Sequence, residues 1–577
     1  MTQNTINENN QFSLQRTSNI ICEDKYFTSS DISLSVNILA NEIISKNPNG
    51  NPIGIYLNRN EKLIYAMLSL LNLHIPYVPI DINIPSERLS YIIDDCKINI
   101  IITESKFKNI FTNINVICCD NLVSQSNNVL CVYEKSEIAY IMYTSGSTGT
   151  PKGISIFRSS LINFITGMAN IIDINNNIIC LTAPTFDIFF VESIMALVCG
   201  LTVIMANDVQ YRNPKLITEL MLKNKVINIQ LTPSSLQMLY NFDKEFTAFK
   251  YCKNILVGGE KFPVHLLKEL QLKTTSKIFN MYGPTETTIW STISDLTTSD
   301  TIDIGRPILN TNIYLIDEFC NEVKKGDQGQ ICIGGVGVAK EYINNSDLTT
   351  KCFINVVNNG ISERVYTTGD LGQFLENGNL DYLGRIDNQV KFRGHRIELE
   401  DIENNINSYN GISQSLVCYI DSDDHDTLIC YYCSDINLDS NELNKFLLKK
   451  LPEYMIPSQF IKIDKFVLNS NGKIDRKKMI KLYLETQKTN IKNHDTGDYT
   501  DLENKVIEII CNNVKSIGAA NKDVSLSSLS IDSITFIKII VNLEQEFNFE
   551  FDDEKLLFNA FNTINDLIVY VQDKVNE

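Results

Sequence analysis

From about residue 15 to 385, short apolar runs alternate with longer stretches whose apolar residues recur at helical spacing. Ile53–Leu57, Ile100–Thr103, Val116–Cys119, Ile178–Thr182 and Val203–Met205 are such runs. Strand-like runs separated by roughly 10–20 residues of helical pattern predict an α/β architecture. Between Thr311 and Tyr342 the runs shorten and turns become frequent, which predicts a more antiparallel region. Residues 387–484 read as a small α+β unit. Residues 485–500, ETQKTNIKNHDTGDYT, are polar and aperiodic, the pattern of a linker. Residues 501–577 read as helices only, with Leu502, Val506, Ile509 and Ile510 on one helical face and a similar pattern after Ser533. The predicted organisation is therefore multidomain: α/β over 1–386, α+β over 387–484, a linker over 485–500 and an all-α unit over 501–577. The most apolar long stretch, Phe189–Ala206, contains Glu192. It predicts a buried helix running into a strand rather than a membrane span.

Composition narrows the function classes. A length of 577 residues suits several structural units, and 44% hydrophobic with 21% charged residues supports packed cores. With 51 basic and 69 acidic side chains the net charge is −18, which disfavours a nucleic-acid binder or a polybasic membrane anchor. The start, MTQNTINENN, lacks the basic and apolar segments of a signal peptide, so a cytoplasmic protein is expected. The 15 cysteines are odd in number and scattered, which argues against a disulfide framework. Cys430 and Cys433 lie in the apolar run Leu428–Cys433, read as a buried strand, with a redox or metal pair as the alternative. Charge is uneven: residues 441–490 hold 5 acidic and 11 basic side chains, and residues 501–577 hold 14 acidic and 6 basic. Two solvated surfaces explain this. So does an acidic mobile domain that docks on a basic neighbour.

The strongest local signal is Tyr143-Thr-Ser-Gly-Ser-Thr-Gly-Thr-Pro-Lys-Gly153. Glycines let a backbone approach a ligand, and N–H groups and hydroxyls donate to phosphate oxygens. The apolar run Ile138–Met142 precedes the loop, and Lys152 adds positive charge. Pro151 breaks the Walker spacing, so this is a phosphate loop of another kind.

The loop resembles the phosphate-loop signature of adenylate-forming enzymes: acyl-CoA ligases, luciferases and nonribosomal peptide synthetase adenylation domains. Further motifs follow in the family's order. They are Tyr77-Val-Pro-Ile-Asp81, Asn280-Met-Tyr-Gly-Pro-Thr-Glu286, the Gly-rich Gly329–Tyr342, Tyr366-Thr-Thr-Gly-Asp370, Gly384–Gly394, Leu451–Pro457 and Asn471-Gly-Lys-Ile-Asp-Arg476. The set spans nearly all of residues 20–480, and its details favour the peptide-synthetase branch.

The resemblance implies a nucleotide site of Thr144, Ser145, Gly146, Ser147, Thr148, Gly149, Lys152, Gly258, Gly259, Asn280, Tyr282, Thr285, Asp370, Tyr382 and Arg385. Tyr282 offers a π-face to adenine, its plainer role being a core tyrosine. Asp370 has two acceptor oxygens for the ribose hydroxyls. Glu286 is the expected Mg²⁺ ligand, since Mg²⁺ takes one or two carboxylates plus phosphate. Lys473, in the small domain, is expected to offset charge as carboxylate attacks the α-phosphate. Lys391 is given a part in the second, thioester-forming reaction, after the small domain turns about a hinge at Asp387.

The implied reaction is carboxylate plus ATP giving acyl-AMP and pyrophosphate. The family's pocket positions fall on Asp187, Ile188, Val191, Gln230, Leu256, Gly258, Met281, Ile289, Trp290 and Lys473. In the peptide-synthetase branch an aspartate at Asp187 pairs with the substrate α-ammonium, and a buried carboxylate needs such a partner. The string resembles the family's glycine-selecting pattern. Trp290 is the chain's single tryptophan and is expected to fill the side-chain space. Alanine, cysteine and serine are the alternative substrates, and a core position outside the pocket is the alternative for Trp290.

Asp532-Ser533-Ile534 opens a helical pattern and resembles a peptidyl carrier domain of the four-helix type, with Ser533 bearing 4′-phosphopantetheine. A serine at a helix start places its phosphodiester near the positive helix end. An ordinary helix cap is the alternative. Three departures stand out: Ser530 and Ile531 replace the usual glycines, Arg158 replaces a frequent histidine, and Glu400 replaces a glycine. The expected partners are an amino acid, a phosphopantetheinyl transferase and a downstream biosynthetic enzyme acting in trans, with no nucleic acid and no membrane. A CoA ligase is the rival enzyme reading, and a catalytically dead adenylate-binding scaffold is the rival outside enzymes.

Overall fold

The computed structural model describes residues 12–576 except 48, 122–134, 147–148, 170, 172–175, 325, 359–360, 421–425, 435–437, 439, 469–473, 491–499, 515–521, 523–525, 527–532, 553–554, 556–560 and 562. The chain forms two compact units, Met1–Glu398 and Leu399–Glu577.

The first unit holds two large sheets. In a nine-stranded sheet, six strands run parallel in the spatial order Lys277–Tyr282, Asn254–Gly258, Asn228–Leu231, Asn177–Cys180, Thr202–Met205, Asn19–Cys22. A seven-stranded sheet has a parallel core of Asn115–Cys118, Ile100–Thr103, Ile53–Tyr56, Tyr77–Pro79 and Ile138–Thr144, extended by antiparallel Lys152–Phe157 and Glu341–Tyr342. Strands buried on both faces read as continuous apolar runs, which is why Ile53–Tyr56 and Ile100–Thr103 were legible without alternation. A five-stranded sheet of Thr311–Ile316, Gly329–Gly335, Ile361–Phe374, Phe353–Asn358 and Leu380–Arg385 is wholly antiparallel, as the shortened runs predict.

The apolar stretch after Phe189 is interior. It contains a single π-helical turn, Val191–Met195, then Ala196–Val198, then the strand Thr202–Met205. Glu192 is fully buried there, and its carboxylate accepts from the Leu181 and Thr182 N–H groups (2.7 and 2.8 Å) and the Thr182 hydroxyl (2.6 Å). Arg59, at the C-terminal end of Ile53–Tyr56, crosses to the other sheet. It donates to the carbonyls of Cys180 (2.9 Å), Ala206 (3.0 Å) and Thr182. One buried guanidinium thus ties the C-terminal edges of both sheets together, where the loops that carry the site emerge.

In the second unit, the strands Ile412–Ile420, Thr427–Ser434 and Gln459–Lys462 form a three-stranded sheet beside the helices Leu399–Asn407, Ser440–Leu447 and Arg476–Asn490. Cys430 is buried on the middle strand, as the apolar run predicts. The described cysteines are free, and no group of three potential metal ligands occurs among the described residues. The helices Asp501–Asn513, Ser533–Phe547 and Ile564–Asn576 share a core of Val506, Ile510, Phe536, Ile539, Leu543 and Leu567. Asp501–Asn513 starts on a capping box: the Thr500 hydroxyl accepts from the Glu503 N–H while the Glu503 carboxylate accepts from the Thr500 N–H. No described helix is long and apolar enough to cross a membrane.

Candidate active site

The phosphate loop is the turn between two paired strands. Thr144 pairs with Lys152 in register, so loop residues 145–151 must reverse the chain. At Gly146 a Cβ would lie 2.2 Å from the Thr150 carbonyl oxygen, which only glycine avoids. The Gly149 N–H donates to the Gly146 carbonyl at 3.1 Å. Among the described residues the Thr144 hydroxyl is buried without a hydrogen-bond partner. Ser147 and Thr148 lie outside the described residues.

Glu286 is the centre of the charge network. It sits fully buried in the 3₁₀ turn Thr285–Thr287. Its Oε1 accepts from the Tyr342 hydroxyl at 2.7 Å, and its Oε2 accepts from Arg396 Nη1 at 2.6 Å. Lys152 Nζ lies 3.8 Å from Glu286 Oε1 and 3.8 Å from Glu398 Oε1. Burial opposes the Glu286 charge, but the Arg396 guanidinium and the Lys152 ammonium outweigh it and hold the carboxyl at about 2. Burial in turn pushes the Lys152 ammonium down, with Arg396 adding to the effect.

Arg396 and Glu398 come from the two-stranded hairpin of Gln389–Phe392 and His395–Glu398, which packs into the first unit. Ser145 receives it: its hydroxyl donates to the Arg396 carbonyl at 2.6 Å and accepts from the Glu398 N–H at 3.2 Å. The Gly394 N–H donates to Glu260, and the His395 ring meets Phe186 edge-on at 4.7 Å. The Mg²⁺ expected on Glu286 does not fit this arrangement. A guanidinium and an ammonium occupy the positions from which a divalent cation would approach.

The predicted nucleotide residues converge around Asp370. Its Oδ2 accepts from the Tyr282 hydroxyl at 2.6 Å and its Oδ1 from Arg385 Nη1 at 2.7 Å. Asp387, the expected hinge, binds Arg385 through both oxygens at 2.6 and 2.7 Å. Lys391 Nζ stands 5.4 Å from the centroid of the Tyr282 ring, a cation over the face expected to hold adenine. Burial lowers the Lys391 pKa, and Asp370 works in the opposite direction. The Tyr282 and Tyr382 rings are 6.3 Å apart. Asn280 donates to the Asp303 carbonyl at 2.8 Å, so its side chain braces the strand ends.

Ile188, Val191, Leu256, Met281, Ile289 and Trp290, the apolar positions expected to line the amino-acid pocket, all belong to the large buried core of the first unit. Trp290 packs on Phe164 at 6.1 Å between ring centroids. A Cβ at Gly258 would lie 2.8 Å from the Met281 carbonyl oxygen and 3.4 Å from Trp290 Nε1, so glycine is required there. One at Gly259 would lie 3.9 Å from Ile188 Cδ1. The Gln230 amide donates to the Leu231 carbonyl at 3.1 Å, and its Oε1 lies 3.0 Å from the Thr182 hydroxyl, whose proton goes to Glu192 at 2.6 Å.

Asp187, next to Ile188 in the chain, is buried. Burial raises its pKa to about 6, although the Thr285 hydroxyl and the Ile289 N–H donate to it. Its Oδ2 is buried with no hydrogen-bond partner among the described residues, as is Trp290 Nε1. Ile289 holds φ 69°, a left-handed conformation that costs a β-branched residue roughly 1–2 kcal/mol. The strain aims its N–H at Asp187.

The predicted phosphate-loop and pocket positions in the first unit lie between Thr144 and Trp290, with Asp370, Tyr382 and Arg385 following. Lys473 lies outside the described residues. Ser533 begins the helix Ser533–Phe547, and its side chain lies outside the described set. The motifs missed Arg396, Glu398 and Tyr342 as partners of Glu286 and Lys152. Their signal was the charged alternation in the run His395–Glu398, although its target is 110 residues away at Glu286.

The AMP-binding enzyme family matches residues 10–343, and the phosphopantetheine attachment site matches residues 504–571. The chain belongs to the AMP-binding enzymes: it is an adenylate-forming ligase joined to a carrier domain, related to the nonribosomal peptide synthetases. Gramicidin S synthase 1 of Brevibacillus brevis is 31% identical over 584 residues, covering 96% of this chain and 50% of that one. The chain spans 20% and 13% of two other curated relatives, a dimodular nonribosomal peptide synthase of Bacillus subtilis and tyrocidine synthase 2 of Brevibacillus parabrevis. A solved synthetase protein with adenylation and carrier domains, holo-PA1221, has the same fold with a TM-score of 0.82 at 20% identity, covering 96% of this chain and 94% of that one. A four-domain synthetase solved with AMP and glycine, holo-AB3403, gives a TM-score of 0.58 at 27% identity over 95% of this chain and 41% of that one.

Arg396→Met will destabilise the first unit by roughly 3 kcal/mol, because it leaves Glu286 buried with a weaker partner. Glu286 keeps its charge well below the usual carboxylate range, so this contribution is present above pH 4.5 and lost as pH falls toward 2. Adding Glu286→Gln should recover most of the loss. A double-mutant cycle of thermal unfolding measures the coupling, and additive effects would show that the pair stabilises nothing.

Proposed function

We propose that the chain activates an amino acid, glycine first among them, with ATP and loads it on its own carrier domain. The substrate carboxylate attacks the α-phosphorus, pyrophosphate leaves, and aminoacyl-AMP forms. Ser533 would hold a phosphopantetheine arm, whose thiol would supply the nucleophile for thioester formation, with AMP as the leaving group. The observation that carries this reading is the buried Asp187 Oδ2, which has no hydrogen-bond partner among the described residues. A carboxylate in that setting calls for a small cation, and an α-ammonium supplies it.

In this reading Trp290 fills the side-chain space and excludes alanine, cysteine and serine by overlap. The neighbour solved with glycine and AMP belongs to the same family, which supports the choice. In this scheme Lys473 acts in the first half-reaction, and Lys391 and the hairpin residues act in the second, when the hairpin occupies the phosphate site. A phosphopantetheinyl transferase must prime Ser533, and an enzyme that takes acyl groups from carriers must consume the product.

Glycine-dependent pyrophosphate exchange across all proteinogenic amino acids tests the assignment, and exchange strongest with a larger acid would overturn it. The Asp187 carboxyl titrates near 6 in the empty pocket, and only its ionised form pairs with an ammonium. Glycine KM should therefore fall about tenfold from pH 5 to pH 7. Asp187→Asn should abolish that limb of the pH profile.

Trp290→Ala should lower kcat/KM for glycine and raise it for larger acids, each buried CH₂ returning ~0.8 kcal/mol. An unchanged preference order in a substrate panel would remove Trp290 from the pocket. Ser533→Ala should leave exchange intact and prevent thioester formation, read by intact-protein mass. A pantetheine-sized gain on that variant would place the arm elsewhere.

A further inference from the structure

We infer that Asp95 is a positioning residue for the phosphate loop, acting through the Tyr143 hydroxyl where the loop begins. The inference rests on the phosphate-loop reading of residues 144–152 and names a residue that none of the motifs includes.

Tyr143 and Thr144 close the strand Ile138–Thr144, and the loop starts at Ser145. The strand alternates between two cores. Tyr140 and Met142 face the large core of the first unit, whereas Ile141 and Tyr143 face the core that holds Leu89, Ile92 and Cys96. The alternation puts Thr144 on the face opposite Tyr143. There its hydroxyl is buried without a hydrogen-bond partner among the described residues. Fixing Tyr143 on one face therefore fixes Thr144 on the other.

The Tyr143 hydroxyl donates to Asp95 Oδ2 at 2.6 Å and lies 3.2 Å from Cys96 Sγ. Asp95 ends the helix Ser86–Asp95. An acidic side chain in a last turn opposes the helix dipole, and this last turn has no basic residue to offset it. The helix gains nothing from a carboxylate at this place, so the reason for it lies in what it holds. Asn344 sets its orientation, donating from Nδ2 to the Asp95 carbonyl at 2.8 Å and to Oδ1 at 3.0 Å. Asn344 is in turn pinned beside the returning strand Lys152–Phe157, because the Ile343 N–H donates to the Gly153 carbonyl at 2.9 Å. A Cβ at Gly153 would lie 2.8 Å from Ile343 Cδ1 and 3.0 Å from Tyr143 Cζ, so the tyrosine ring rests on the residue that follows Lys152. Asp95 thus joins the strand that leads into the loop to the strand that leaves it. Near the loop's far end the Thr150 side chain hydrogen-bonds to Tyr91, four residues before Asp95 on the same face of the helix.

A carboxylate in contact with a triphosphate would repel it. Asp95 stands on the helix side of the sheet and reaches the loop through a tyrosine, so it orders the binding groups without being one of them. Thr144 and Lys152 face each other in register. Without the anchor, ATP must itself order them on binding, and that cost appears as lost affinity.

Asp95→Ala and Tyr143→Phe are compared with wild type in pyrophosphate exchange by the full chain, with glycine as the amino acid. KM for ATP should rise about tenfold in each variant while KM for glycine holds. The double variant should be no worse than Asp95→Ala, since both changes remove the same bond. Asp95→Asn keeps an oxygen for Tyr143 and should recover most of the ATP KM. Ile92→Val takes a methyl from the buried face of the same helix and is the control for loosening; it should keep the wild-type KM for ATP. As a readout apart from turnover, MgATP alone should raise the melting temperature of wild type more than that of Asp95→Ala. A wild-type ATP KM in Asp95→Ala, equal melting shifts, a loss shared equally by ATP and glycine, or effects that multiply in the double variant would overturn the inference. If Thr144→Val and Lys152→Ala also keep the wild-type KM for ATP, the phosphate-loop reading itself fails, so the two failures are distinguishable.

Discussion

A fully buried carboxylate must find a positive partner or give up its charge, and Glu286 meets that demand through Arg396 and Lys152. Much of the site is arranged around this pair. Tyr342 and Tyr366 hold the far sides of the two charges, with Arg396 Nη2 donating to the Tyr366 hydroxyl at 3.1 Å. Ser145 clasps the hairpin backbone on either side of Ile397. The phosphate loop, the 3₁₀ turn and the hairpin are therefore mutually dependent: each supplies one group that another leaves unsatisfied.

Asp187 shows the opposite solution to the same constraint. It too is buried, but no cation among the described residues offsets its charge, and its pKa rises to about 6 while that of Glu286 falls to about 2. Two carboxylates in one unit are thus separated in character by their partners alone. The one that is paired holds the architecture. The other, Asp187, keeps a buried oxygen without a hydrogen-bond partner among the described residues.

Arg59 and Glu192 explain how such a site stays in register. Both are buried, and both spend their hydrogen bonds on the backbone around residues 180–182 and 206. That backbone leads into Phe186 and Asp187, so the position of the pocket carboxylate is set by charges that touch no ligand. Neither residue belongs to a motif, which is why the sequence reading passed over Arg59 and treated Glu192 only as an objection to a membrane span.

The linear order of residues decided what depends on local periodicity and local backbone chemistry. The parallel strands, the antiparallel region from Thr311 to Tyr342, the buried run from Phe189 and the helical unit after residue 501 all follow from spacing that a chain carries within a dozen residues. The glycines of the phosphate loop and Gly258 were equally legible, because close approach excludes a Cβ. Tertiary structure alone decided which charges meet. Arg396 finds Glu286 across 110 residues. The pairing of buried charges and the leaving of others unpaired depend on distances in folded space. A sequence names the groups but cannot say which of them water, a neighbour or a substrate will satisfy.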